Sequence, residues 1–394
     1  MDPIRNPYAP GAGTRPPEMV GRDDLREAAR IALERLRLGR PSKSIVMVGL
    51  RGVGKTVLLD QIAEDAEASG LIALRIEASE QRSLPSMIAP QLRSALIRLS
   101  NREAVQALAQ RALRALAGFA SSLKVKYQDI EIGFDAEPEP GLADNGDLGT
   151  DLQDLFEAVG VAAKEDDSCV ALFVDELQYV EKEQLAALIT ALHRDAQRQL
   201  PVTMVGAGLP QLRGAMGNAK SYAERLFDFP EVGPLSSSDA RIAISKPAQD
   251  EGVEIQAEVL DAVVSRTQGY PYFLQVWGKH LWDVAEDSPI TEDNFIPASA
   301  RAIADLDQSF FLVRFDRLTP SQKKYLRAMA ELGAGPHRSG DIAQVMERTV
   351  TSLGPTRAQL IHKGMVWSPG HGDTAFTVPM FNEFMLRTVP DLDL

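Results

Sequence analysis

The chain has 394 residues, 44% apolar and 25% charged, enough for a sizeable core in two or three domains. A net charge of −13 excludes nucleic-acid binding through bulk charge, so any such contact needs a local basic surface. The single cysteine excludes a disulfide framework and points to a reducing, cytoplasmic setting, and no apolar run approaches the ~18 residues of a membrane span.

Met1 to Gly11 is rich in Pro and Gly, lacks the apolar core of a signal peptide, and reads as an extended leader. From Arg22 to Leu38, the residues Leu25, Ala28, Ala29, Ala32, Leu33 and Leu36 recur on one helical face, and Gly39 and Pro41 stop the helix. Ser44 to Val48 is an apolar, β-branched segment suited to a buried strand. It runs into Gly49-Leu50-Arg51-Gly52-Val53-Gly54-Lys55-Thr56, which reads G-x-x-x-x-G-K-T, and Val57 then opens a helical pattern. Strand, glycine loop and helix are the setting of a phosphate-binding loop. Glycines let backbone N–H groups curl around phosphate oxygens, and the helix N-terminus adds partial positive charge. Lys55 is placed for the β- and γ-phosphates and the Thr56 hydroxyl for Mg2+.

Leu71 to Ile76 is the next strand, followed by a helical stretch from Leu84 to about Leu116. Leu123–Tyr127 and Ile130–Phe134 alternate around Gln128 and Asp129, which predicts a hairpin insertion over about 123–136. Ala136 to Gly149 has no periodicity and reads as a loop. Asp151 to Lys164 is helical, with Leu152, Leu155, Phe156 and Val159 on one side. Ser168 to Val174 is a buried strand, in which Cys169 is a small core residue. Gln184 to Gln199 is a helix and Val202 to Gly206 another strand. Strands alternating with helices imply a parallel sheet covered on both faces.

The strand Val170–Val174 ends in Asp175 and Glu176. A buried strand carries a charge pair at its end only for a reason, because desolvating carboxylates is costly. At the C-terminal edge of a parallel sheet these acids face the ligand crevice. Asp175 is expected to hold Mg2+, mostly through water, and Glu176 to orient and polarise an attacking water.

From Ser236 to about Phe315 the patterns are only helical, broken by Pro247, Pro271 and Pro289. Thr319-Pro320-Ser321-Gln322 then reads as a capping box. Helices are predicted over Ser321–Leu332, Ser339–Met346 and Thr351–Lys363, the last stopped by Gly364. Met365–Ser368 and Thr374–Val378 flank a turn at 369–373. Between Arg317 and Thr388 nine basic residues stand against five acids, a local charge of +4 in a chain of −13. His337, His362 and His371 fall in this stretch with no metal-ligand spacing.

In order, the glycine loop, the acidic pair and the helical stretch resemble the AAA+ and signal-transduction (STAND) branches of P-loop ATPases. The likeness is to initiator-type (origin-recognition-like) and archaeal-type ATPases with a C-terminal winged helix. Met19-Val20-Gly21-Arg22-Asp23 resembles the box that sits against adenine in initiator-type relatives. Asp175-Glu176-Leu177-Gln178 resembles the D-E-x-Q variant of archaeal-type and transposition-regulating ATPases. Gly269-Tyr270-Pro271 resembles the G-x-P motif of STAND lids, whose proline packs near adenine. The aromatics Tyr270, Tyr272, Phe273 and Trp277 read as lid core.

Two positions depart from the AAA+ pattern. Gly206, Ala207 and Gly208 offer no side-chain donor where a polar sensor is usual, and Thr203 lies deeper in its strand. No arginine stands between Gly269 and Lys279, and Arg266 lies just before.

The resemblance implies an α/β fold with a RecA/AAA+-like P-loop parallel-sheet core, an all-helical lid and a C-terminal winged helix. The implied segments are 1–42 (leader and adenine-side helix), 43–235 (ATPase core), 236–315 (lid and linker helix) and 316–394 (winged helix). It implies ATP and Mg2+ as ligands. Val20, Gly21, Arg22, Gly49, Arg51, Gly52, Val53, Gly54, Lys55, Thr56, Val57 and Pro271 would face the nucleotide, and Thr56 and Asp175 the metal.

Lys55 and Glu176 would act in catalysis. Arg225, in Ala223–Phe227, is either an arginine finger, which if it acts in trans makes the active form a homo-oligomer, or a surface salt-bridge arginine. The third helix of the winged helix would enter the DNA major groove, with Ser352, Thr356, Arg357, Gln359 and Lys363 as contacts. The implied function is an ATP-hydrolysing switch that couples nucleotide state to DNA binding. The alternatives are a STAND-type signalling or defence regulator whose winged helix docks protein, and a transposition-type regulator polymerising on DNA.

Overall fold

The computed structural model describes residues 1–11, 13–130 and 136–391. They form two compact units, Arg22–Gly49 with Lys55–Val232, and Met1–Gly21 with Leu50–Gly54 and Gly233–Leu394. No helix among the described residues is long and apolar enough to cross a membrane.

The first of these units is built on five parallel strands, β1 (Ser44–Val48), β2 (Ile72–Glu77), β3 (Val170–Asp175), β4 (Val202–Gly208) and β5 (Phe227–Asp228), in the order β2-β3-β4-β1-β5. β3 and β4 are buried along their whole length. Strands covered on both faces require near-continuous apolar runs, and these two have them. The helices are α1 (Asp23–Arg37), α2 (Lys55–Ala68), α3 (Leu84–Ser100), α4 (Gln106–Leu123), α5 (Leu148–Glu165), α6 (Lys182–Arg198), α7 (Leu212–Ala219) and α8 (Ala223–Leu226). Leu172 of β3 shares one apolar core with Phe119 of α4, Phe156 of α5 and Leu188 of α6. Register places Glu77 beside Asp175 and Val174 beside Gly206. The C-terminal ends of β2, β3 and β4 therefore form one polar edge.

Local chemistry corrects two expectations in this unit. The helical stretch from Leu84 breaks at Asn101 into α3 and α4, joined by a short turn over Glu103–Val105. The alternation of Leu123–Tyr127 is not a strand. Leu123 ends α4, and Lys126 and Tyr127 turn back onto its carbonyl. Of the predicted second strand, residues 131–135 lie outside the described ones. The acidic loop after them is anchored by the buried Asp151, whose carboxylate accepts from Ser122 Oγ and from the Asn145 and Gly146 amides at 2.8–3.0 Å.

The other unit carries α9 (Ser237–Asp250), α10 (Ala257–Thr267), α11 (Pro271–Val284), α12 (Glu292–Asp305) and α13 (Leu312–Phe315). One wide π-type turn over Leu306–Phe311 joins the last two. Tyr270, Phe273 and Trp277 are buried as lid core, and Tyr272 stacks on Phe310 at 5.1 Å. Apart from one 3-10 turn over Pro3–Arg5, the leader has no helix or strand among the described residues, and it packs against the helices of this unit. Tyr8 is 4% exposed, and a Cβ on Gly278 would stand 2.4 Å from its ring. Its hydroxyl donates to Ile244 O, Asn6 Nδ2 donates to Asp283 Oδ1 at 2.8 Å, and Trp282 Nε1 donates to Asp2 O at 2.9 Å. The Pro/Gly-rich segment straps α9 and α11, a contact that no local pattern reveals.

The same unit continues through α14 (Pro320–Glu331), α15 (Ser339–Val345), α16 (Val350–His362) and α17 (Phe381–Thr388). Thr319 and Gln322 form the expected capping box. Such a cap contributes about 1 kcal/mol. Strands β6 (His337–Arg338), β7 (Val366–Trp367) and β8 (Asp373–Phe376) make an antiparallel sheet in the order β6-β8-β7. Pro355 sits inside α16 without ending it, and Gly364, at φ +64°, turns the chain into β7.

Candidate phosphate-binding and hydrolytic site

β1 delivers the glycine loop. Its last residues are buried, and the Gly49 amide donates to Gly208 O at 3.1 Å. Gly52 and Gly54 take φ of +79° and +88°, open to glycine at no steric cost. Such a turn directs successive N–H groups inward, a concavity suited to anions. Lys55 begins α2, and its Nζ donates to Gly49 O at 3.0 Å, folding the side chain back over the loop. Val53 is buried, while Val57 is half-buried.

The acidic corner meets Thr56, the last residue of the motif. Asp175, 9% exposed, accepts from Thr56 Oγ1 at 2.6 Å and from the Glu176 amide at 2.8 Å. Burial raises the Asp175 carboxyl above its ordinary range, and the Thr56 hydrogen bond works against that rise. Glu176 holds a left-handed backbone at φ +51°, a strained conformation for a non-glycine residue. Its carboxylate accepts from Gln178 Nε2. A carboxylate and a hydroxyl in contact at the end of a phosphate-loop motif are hard oxygen donors of the kind Mg2+ takes alongside phosphate oxygens and water.

Arg225 lies on α8 near the end of this unit; its amide donates to Tyr222 O, and its exposed guanidinium makes no hydrogen bond or ion pair among the described residues. Gly21 takes φ +69° between the half-buried Val20 and Arg22, and Arg22 caps α1.

Residues 18–205 match the AAA ATPase domain family. This stretch is similar to that family and holds the glycine loop and the acidic pair. Residues 308–385 match a family described as a domain of unknown function (DUF8462). No curated protein matches the chain. Among solved structures, the Walker-type ATPase PABY2304 of Pyrococcus abyssi is similar at 16% identity, with a TM-score of 0.61 over 94% of this chain and 97% of that one. The Aeropyrum pernix ORC2 protein, solved as ADPNP–ADP complexes, is similar at 16% identity and a TM-score of 0.56, over 97% and 98%. At these identities the likeness is one of fold.

Residues 50–54 of the glycine loop belong to the compact unit that also holds α11. There the Tyr272 amide donates to Gly52 O at 3.4 Å, and Pro271 Cγ lies 4.0 Å from the Cβ position of Gly54. The Arg51 guanidinium reaches Gly364 at the end of α16, 2.9–3.0 Å from where a Cβ would stand. Nothing in the sequence signals that contact.

The five residues expected to face DNA are engaged inside the C-terminal segment to different degrees. Arg357 donates to Thr374 Oγ1, Ser368 Oγ and Asp373 O at 2.7–2.9 Å, clamping α16 to the β7–β8 ribbon. Lys363 Nζ donates to Arg317 O and Gln322 Oε1 at 2.8 and 2.9 Å. Gln359 Oε1 accepts from Gln322 Nε2, and Ser352 Oγ donates to Thr349 O. Thr356 is half-buried. The two cations expected on the DNA face are thus half-buried and hydrogen-bonded within the segment, Arg357 to the ribbon and Lys363 to α14 and the turn before it. Arg348, just before the α16 cap Thr349, is exposed.

Proposed function

We propose that this protein is a Mg2+-dependent ATPase switch whose nucleotide state governs DNA binding by its C-terminal segment. The observation that carries the ATPase reading is the Thr56–Asp175 hydrogen bond of 2.6 Å at the end of a glycine loop with two left-handed glycines. The loop amides and the N-terminus of α2 bind the phosphates, and Lys55 exchanges Gly49 O for a phosphate oxygen. Thr56 and Asp175 would hold Mg2+, which would supply positive charge to the phosphoryl oxygens. Glu176 accepts a proton from the attacking water; its oxygen bonds the γ-phosphorus, and the bond to the departing ADP oxygen breaks. Arg225, exposed on α8, supplies a guanidinium to a neighbouring subunit of a homo-oligomer. Mixing Arg225→Ala with Glu176→Gln subunits then restores turnover that neither has alone; a mixture as inactive as its parts removes the trans role.

For the C-terminal segment, the order α14, α15, α16, β7, β8 and the local charge of +4 support a winged helix that contacts DNA phosphates. A mobility shift with and without ATP across a salt series tests this directly. ATP-dependent binding that weakens steeply with salt is expected, and Lys55→Ala abolishes the ATP dependence. A second reading is favoured by the engagement of Arg357 and Lys363 within the segment: the exposed positions of α16 hold no lysine or arginine, a surface that suits protein as well as DNA. Salt-independent behaviour, or no shift, selects it.

A further inference from the structure

We propose that Gln178 is a positioning residue for hydrolysis, aiming Glu176 from the end of β4 in place of the polar side chain that this strand lacks; the proposal rests on the ATPase reading. β4 offers no substitute. Gly206, Ala207 and Gly208 have no polar side chain, and Thr203 Oγ1 is buried against Ser44 Oγ at 2.9 Å. Gln178 reaches across from the turn after β3. The Leu209 amide, just past β4, donates to Gln178 Oε1 at 3.1 Å. That bond fixes which end of the amide is oxygen, so Nε2 is the end that donates to Glu176. A single planar group thus joins the tip of β4 to the carboxylate expected to handle water.

Gly208 shows that the strand is shaped for this reach. Its φ is not left-handed, so its backbone does not require glycine. Space does. A Cβ at 208 would stand 2.7 Å from Gln178 Oε1 and 2.7 Å from Leu212 Cδ2. Gly206 likewise leaves room for Leu177, 3.1 Å from its Cβ position. The small residues that remove a polar side chain from the strand end are the ones that admit the glutamine. Glu176 is otherwise held by its strained backbone, so Gln178 is the described contact that restrains its carboxylate. The segment after Leu209 runs through α7 to Arg225, so a shift of that segment would reach Glu176 through one amide.

The test is steady-state ATPase kinetics with a separate nucleotide titration on the full chain. Gln178→Glu keeps an acceptor for the Leu209 amide but cannot donate to Glu176. Its kcat is expected to fall by about ten- to a hundredfold while ATP affinity and Tm stay within about twofold and a few degrees of wild type. Gly208→Ala, which displaces the amide while keeping every hydrogen-bonding atom, is expected to show the same split. Wild-type kcat in a folded Gln178→Glu variant, or losses of kcat, affinity and Tm in proportion in both variants, would overturn the proposal. If wild type itself does not turn ATP over, or Glu176→Gln leaves turnover intact, the ATPase reading has failed instead.

Discussion

The acidic corner and the C-terminal segment both place charged side chains at the surface of a helix or strand, yet they use them differently. At the corner, Thr56, Asp175, Glu176 and Gln178 bond to one another, and their polar atoms converge on one edge of the sheet. In the C-terminal segment, Arg357, Lys363 and Arg327 reach inward to backbone carbonyls and neighbouring side chains. Spacing identifies the first kind of group, because phosphate chemistry demands a particular order of residues along the chain. A count of charges cannot identify the second kind. A guanidinium satisfies a loop carbonyl as readily as a phosphate.

The largest expected effect breaks the comparison at the corner. Glu176→Gln retains ATP in a binding titration but loses about 10²–10⁴ in turnover, the range for removing a positioned base. Normal turnover would mean that the acidic pair is structural, like the cations of the C-terminal segment. A smaller effect sharpens the other side. Arg357→Ala loses about 1–3 kcal/mol of stability by denaturant melting, from its bonds to Thr374, Ser368 and Asp373, with the salt slope of DNA binding unchanged. Arg348→Ala keeps stability and lowers that slope by about one. The reverse result would return Arg357 to the DNA face.

A separate prediction concerns a buried carboxylate outside both regions. Asp195 of α6 is fully buried with both oxygens unpartnered among the described residues, and burial, aided by Glu157, pushes its carboxyl up to about 8. The folded state therefore holds a proton that the unfolded chain releases near 3.8. Stability from this group is full at low pH and is lost as pH rises toward about 8. Asp195→Asn should flatten that decline in melts from pH 5 to 9; an unchanged slope would assign it to other groups.

Much of the sheet and of the phosphate site was legible. The strands at Ser44, Leu71, Val170 and Val202 are continuous apolar runs, and such runs between helical periods have few other solutions. The helices after Thr319 follow from a cap, a proline at the first turn and stopping glycines. The first strand of the hairpin expected from Leu123 was misread because a short alternation also fits a helix end followed by a turn. The packing of the leader was not legible, because Tyr8 is buried against Gly278 and Ile244, far along the chain. Gln178 was visible as a motif letter, but its function depends on the glycine opposite it on β4.

By itself the sequence determined the order of strands and helices, the glycine loop and the acids that follow β3. Backbone sterics and desolvation act over a few residues, so their marks are local. Only the tertiary structure decided which cations face inward, where the leader lies, and that a glutamine occupies the space a side chain on β4 would fill. Those outcomes depend on hydrogen bonds and close approaches between residues distant in the chain, and no local pattern encodes such partners.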